Sequence, residues 1–161
     1  ERQLRDLSMR DPLTGCFNRR YLHDVAVRLE ERGETRWGCI HLELDRFREY
    51  NDRHGHAAGD ELLLRMSRFL MRQVRAEEAV VRLGGDEFLV VLAGADDART
   101  ESVARRLQLA ALRTAPARFS LGWAARLPGE PFERTVNRAS QQALDVQVIE
   151  RSLEWQRREE E

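Results

Sequence analysis

The segment Arg82-Leu83-Gly84-Gly85-Asp86-Glu87-Phe88 sets a glycine pair and two acidic residues between two apolar runs, Ala79 to Leu83 and Phe88 to Leu92. Short runs rich in Val and Leu, split by such a pair, predict two strands of a β-hairpin joined by a tight turn. Adjacent glycines accept positive φ without steric cost and leave the backbone open to a bulky ligand. The hairpin therefore carries carboxylates at its tip. Groups held there suit Mg²⁺, a hard cation that pairs a few carboxylates with substrate phosphates. A plain solvated turn also places polar residues at such a tip. The two readings separate on whether other acids face the hairpin.

A second acidic site lies upstream. In Trp37 to Leu44, strand alternation sends Ile40, Leu42 and Leu44 one way and His41, Glu43 and Asp45 the other. Two carboxylates thus share one face at the carboxyl end of that strand. The rest of the chain alternates between helical and strand periods, which predicts one α/β (α+β) domain. Phe17, Tyr21, Val25 and Leu29 recur every four residues, and Leu63, Met66, Leu70 and Val74 do so approximately, each set defining an amphipathic helix. Phe47 to Asp52 reads as a short helix, with Gly55 and Gly59 bracketing a turn before Asp60. After the hairpin, Ala98 to Leu112 reads as a helix, Phe119 to Ala124 as a strand, and Phe132 onward as a final helix. The organisation expected is the end of a connecting helix over 1–10, one domain over 11–154, and a frayed tail over 155–161.

The 161 residues suffice for one domain that buries about two thirds of its unfolded surface. Net charge is −1, so nothing global steers the chain to nucleic acid or an anionic membrane. No apolar run approaches the ~20 residues of a membrane span. All 27 basic residues are Arg, so any phosphate contact is a guanidinium fork, not the point charge of a lysine. Cys16 and Cys39 form no CxxC pair, which points to a reducing, cytoplasmic setting. No P-loop motif is present.

Taken in order, Asp11-Pro12-Leu13-Thr14-Gly15 with Asn18-Arg19-Arg20, Leu44-Asp45-Arg46-Phe47, Asn51-Asp52, Gly55-His56, Gly59-Asp60, Gly84-Gly85-Asp86-Glu87-Phe88 and Ser120-Leu121-Gly122-Trp123-Ala124 resemble the GGDEF family of diguanylate cyclases over nearly the whole chain. The resemblance implies a central, mostly antiparallel sheet flanked by helices, similar to the palm of polymerases and nucleotidyl cyclases. It also implies condensation of two GTP into cyclic di-GMP with loss of two pyrophosphates, in a homodimer that presents one GTP per subunit. Mg²⁺ or Mn²⁺, two per active site, would be the cofactor, and an upstream sensory or receiver domain a partner. By matching position, Glu43 and Glu87 would bind metal. Asp86 would be a metal-site carboxylate or help deprotonate the 3′-hydroxyl. Gly84 and Gly85 would lie against the nucleotide, Phe47 and Arg48 would border its phosphates, and Asn51 and Asp60 would read guanine. Asp60 equally suits an N-cap of the next helix.

The chain departs from the family pattern in several places. Glu43 stands where Asp is usual and Arg48 where Lys is usual. Val148 and Ser152 replace a phosphate-binding Lys and Arg. Arg151, one position from Ser152 and three from Val148, is the candidate replacement, or else an ordinary solvated charge. Arg75 and Glu78 hold the place of the family's product-inhibition Arg-x-x-Asp, with the acid changed. These departures define the alternative function, an impaired GGDEF domain that binds GTP or cyclic di-GMP and relays occupancy to an attached domain.

Overall fold

The computed structural model describes residues 8–33, 36–76 and 78–161. The elements in chain order are α1 (Arg19–Glu31), β1 (Trp37–Leu44), α2 (Phe47–His54), α3 (His56–Gln73), β2 (Glu78–Gly84), β3 (Glu87–Ala93), α4 (Asp97–Thr114), β4 (Phe119–Ala125) and α5 (Phe132–Glu160). The helix expected over the first ten residues falls mostly outside the described residues.

The four strands form one antiparallel sheet in the order β2-β3-β1-β4. Helices cover both faces. Ile40, Leu42 and Leu44 of β1 pack with Leu63, Met66 and Leu70 of α3 and Val103 and Leu107 of α4. On the opposite face Trp37 and Cys39 pack with Leu22 and Ala26 of α1 and Phe132 and Ala139 of α5. Coverage on both sides explains why β1 is buried almost throughout although its sequence alternates.

The close seat of α5 on the sheet depends on Gly122 in β4. A Cβ there would lie 2.1 Å from the Ala139 carbonyl oxygen and 2.4 Å from the Ala143 nitrogen. Small residues thus meet across the contact, and the end of β1 comes under the helix. The turn before α5 is fixed by buried Glu130, whose carboxylate accepts from Arg138 Nη2 at 2.7 Å, Thr135 Oγ1 and the Leu127 N–H. Chiefly through the Arg138 hydrogen bond, this set holds the Glu130 carboxyl down at about 2.

Three sequence expectations change. Gly84 pairs with Glu87, so the two turn residues are Gly85 and Asp86, not the two glycines, and the register shifts between Arg82 and Gly84. Gly59 and Asp60 lie inside α3, which starts at His56 behind Gly55 at φ +91. The turn is therefore made at Gly55 alone, and Asp60 is not an N-cap. Helix α5 runs on to Glu160, through the segment where a frayed tail is expected. Among the described residues no helix is long and apolar enough to cross a membrane.

Candidate active site

Antiparallel register places Glu43 of β1 directly opposite Glu87 of β3 and, on its other side, opposite Ser120 of β4. Residues so paired hold their Cβ atoms about 4.5–5.5 Å apart and point to one face. The Leu44 N–H donates to the Asp86 carbonyl at 3.1 Å, which ties the hairpin turn to the end of β1. Burial raises the Glu43 carboxyl above its ordinary range, and repulsion from Asp86, Glu87 and Asp45 raises it further, while Arg151 opposes the shift. Asp86 is also raised, first by burial and then by Glu87. These acids repel one another, and a divalent cation would relieve that repulsion.

The donor set fits such an ion. Among the described residues no three His, Cys, Asp or Glu side chains form a ready-made cage. Mg²⁺ does not require one, because it keeps waters and uses one or two carboxylates with substrate phosphates. Asp45 is committed elsewhere: its Oδ1 accepts from Ser120 Oγ at 2.6 Å and from Gln147 Nε2 at 3.4 Å.

Asn51 and Asp60 come from α2 and α3, which meet at Gly59. A Cβ at Gly59 would lie 1.7 Å from Asn51 Oδ1, so only glycine admits this seating of the amide. That oxygen is buried without a hydrogen-bond partner. A buried, unpaired acceptor costs about 1–3 kcal/mol, and such an atom calls for a partner. Asp60 is exposed one residue beyond Gly59. A cavity of about 930 Å³ lies along α2, lined by Asp45, Arg46, Phe47, Tyr50, Arg53 and Arg65 among others, and neither Asn51 nor Asp60 lines it.

Between the two carboxylate strands and α2 runs the loop at Arg46, the one non-glycine among the described residues with positive φ, +56. Strained backbone of this kind concentrates where geometry serves function. Phe47 is half-buried against the core and Arg48 is exposed.

Helix α5 passes over the same end of the sheet. Val148 is 56% exposed and Ser152 is exposed, whereas Gln147, Arg151 and Glu154 line a cavity of about 210 Å³ with Asp45, Arg46 and Arg118. Arg151 is thus the α5 cation that Glu43 feels.

At the candidate inhibitory site Arg75 is exposed. Glu78 is turned inward: its carboxylate pairs with Arg106 at 2.9 Å and Arg99 at 3.8 Å, and it accepts from the Arg75 N–H.

Several participants are not apparent from the sequence. Arg82 bonds the Asp11 carboxylate at 3.1 Å and the Gly85 carbonyl at 2.9 Å, joining the N-terminal turn to the acidic hairpin. Burial alone would raise the Asp11 carboxyl, but hydrogen bonds from Thr14 and Arg82 hold it below its usual range. His41, on the Glu43 face, is buried with an unpartnered Nδ1, and burial, aided by Arg19, pushes it down to about 4. Gln147 and Glu154 share a helical face with Ala139 and Ala143, and that spacing was the available signal.

The fold is that of a mixed α/β domain built on a four-stranded antiparallel sheet flanked by helices. The family described as "Diguanylate cyclase, GGDEF domain" matches residues 8–145, and the chain belongs to it. It is 46% identical over 101 residues to an uncharacterized signaling protein of Caulobacter vibrioides, covering 60% of this chain and 12% of that protein. It is 37% identical over 101 residues to diguanylate cyclase DosC of Escherichia coli, covering 61% and 22%. The crystal structure of diguanylate cyclase SiaD with its activator SiaC from Pseudomonas aeruginosa superposes with a TM-score of 0.79 at 30% identity, covering 89% of this chain and 60% of that one. The chain therefore spans 12% and 22% of the length of the two curated relatives named.

Proposed function

We propose that this domain is a diguanylate cyclase. Two copies, each holding one GTP, face each other; the 3′-hydroxyl of each nucleotide attacks the α-phosphate of the other. Two phosphodiester bonds form, two α–β bridges break, and two pyrophosphates leave with cyclic di-GMP. The observation that carries the reading is the cross-strand pairing of Glu43 with Glu87, beside an Asn51 amide held against Gly59 with an unpaired oxygen.

Glu43 and Glu87, with Asp86 beside them, would hold the divalent ions, Mg²⁺ or Mn²⁺, two per site. Bound there, the ions supply neutralisation of the phosphate charge. The elevated carboxyl of Asp86 suits it to accept the proton of the 3′-hydroxyl. Asp60 accepts from the guanine N–H groups and Asn51 bonds the same base. Gly84 and Gly85 leave room for the nucleotide, and Phe47, Arg48 and Arg151 border its phosphates. Such a domain works in the cytoplasm, where GTP is supplied, under an attached sensory or receiver domain. The test is incubation of a dimeric form with GTP and Mg²⁺ or Mn²⁺, followed by chromatography for cyclic di-GMP.

One observation favours the second reading, a domain that binds GTP or cyclic di-GMP and relays occupancy. The α5 position that carries the family's phosphate cation is an apolar residue, Val148, turned to solvent. Saturable GTP binding without product selects that reading.

A further inference from the structure

Beyond Gln147, α5 sets two carboxylates into the cationic wall that borders the acid cluster. Glu154 is ion-paired with Arg46. The Glu150 carboxyl is raised by burial and by Asp45, with Arg118 close enough to oppose the shift. Asp45, Arg46, Arg118, Glu150 and Glu154, together with Arg151, line the same cavity of about 210 Å³. A guanidinium fork binds carboxylate and phosphate oxygens by the same geometry, so a carboxylate seated on such an arginine takes a phosphate's place. Neither glutamate serves the sheet packing of α5, which Phe132, Thr135, Ala139, Ala143 and Gln147 provide.

Resting on the nucleotide reading above, we propose that Glu150 and Glu154 form an internal latch on the phosphate side of the site. They engage Arg46 and Arg118 in the free protein and release them to the phosphate tail of an incoming nucleoside triphosphate. The side chains of Arg46 and Glu154 are 39% and 33% exposed, although the paired Glu154 oxygen is itself shielded, and a partly exposed ion pair is weak enough to exchange. A phosphate tail carries more charge than a carboxylate and displaces it. Release frees the end of α5, so nucleotide occupancy is read out as loosening of residues 150–158.

The test titrates GTP with Mg²⁺ into the wild-type chain, Glu154→Gln, Glu150→Gln/Glu154→Gln, and Glu160→Gln as a control of equal charge change at the helix end. The latch predicts binding tighter by about threefold in the single and about tenfold in the double variant, gains that shrink at high salt. The control matches wild type. Amide exchange over 150–158 rises when GTP is added to wild type and is already raised in the double variant without it. Unchanged or weaker binding in Glu154→Gln, or an equal gain in Glu160→Gln, overturns the latch and leaves the nucleotide reading intact. Absence of GTP binding in wild type and all variants removes the nucleotide reading and the latch with it.

Discussion

Glu43 illustrates a site residue whose charge works against the fold. Its carboxyl is raised by burial and by Asp86, Glu87 and Asp45, so the native state binds its proton more tightly than the unfolded chain does. Stability from this group is complete at low pH and is lost as pH rises through the window between the ordinary and raised values. Glu43→Gln should therefore melt above wild type at pH 7 and equal to it below that window, with Mg²⁺ raising the melting temperature of wild type only. Scanning calorimetry across pH, with and without the ion, checks this. Gly59 offers a cleaner separation of fold from function. In Gly59→Ala the new methyl meets the mobile end of Asn51, which swings aside at little cost in stability. GTP affinity should fall about tenfold, as loss of one hydrogen bond of roughly 1.5 kcal/mol would give, while the denaturation midpoint stays near wild type. Arg151→Ala should weaken GTP binding by a similar factor, since a charge-assisted contact is worth roughly 1.5–3 kcal/mol; calorimetric titration reads it directly.

At the scale of elements, the contact of α5 with β4 positions the site, and it has no slack. The Cβ in Gly122→Ala meets backbone atoms of Ala139 and Ala143, which move only with the whole helix. Overpacking of this kind costs about 1–3 kcal/mol, and the helix that carries Gln147 and Arg151 shifts with it. Urea denaturation should show the loss, and nucleotide affinity should fall in parallel, unlike Gly59→Ala. The strands, the hairpin and the helices were legible in the sequence because period 2 and period 3.6 are local signals. The start of α3 was not. Gly59 looks like a second turn glycine, but its absent side chain serves a contact with Asn51 instead of a backbone bend. The hairpin turn was displaced by one residue for a similar reason, since a bulge before Gly84 depends on strand pairing that no single segment reveals. The pairing of Glu154 with Arg46 was not legible either, because the two lie more than a hundred positions apart.

For the whole molecule, covering both faces of the sheet leaves the proposed chemistry to the end where β1, the hairpin and α5 meet. Long-range pairs assemble that end: Asp11 with Arg82, Asp45 with Ser120, Glu43 with Glu87. A single copy holds half of the proposed reaction, so turnover should rise with the square of concentration at low protein and become linear once dimers form; initial rates over a dilution series check this. The most direct test of the central claim is the affinity for GTP measured with Mg²⁺ and with the ion chelated, in wild type and in Glu87→Gln. Binding should depend strongly on the ion in wild type and lose that dependence in the variant. Equal affinity with and without the ion in wild type would contradict that claim.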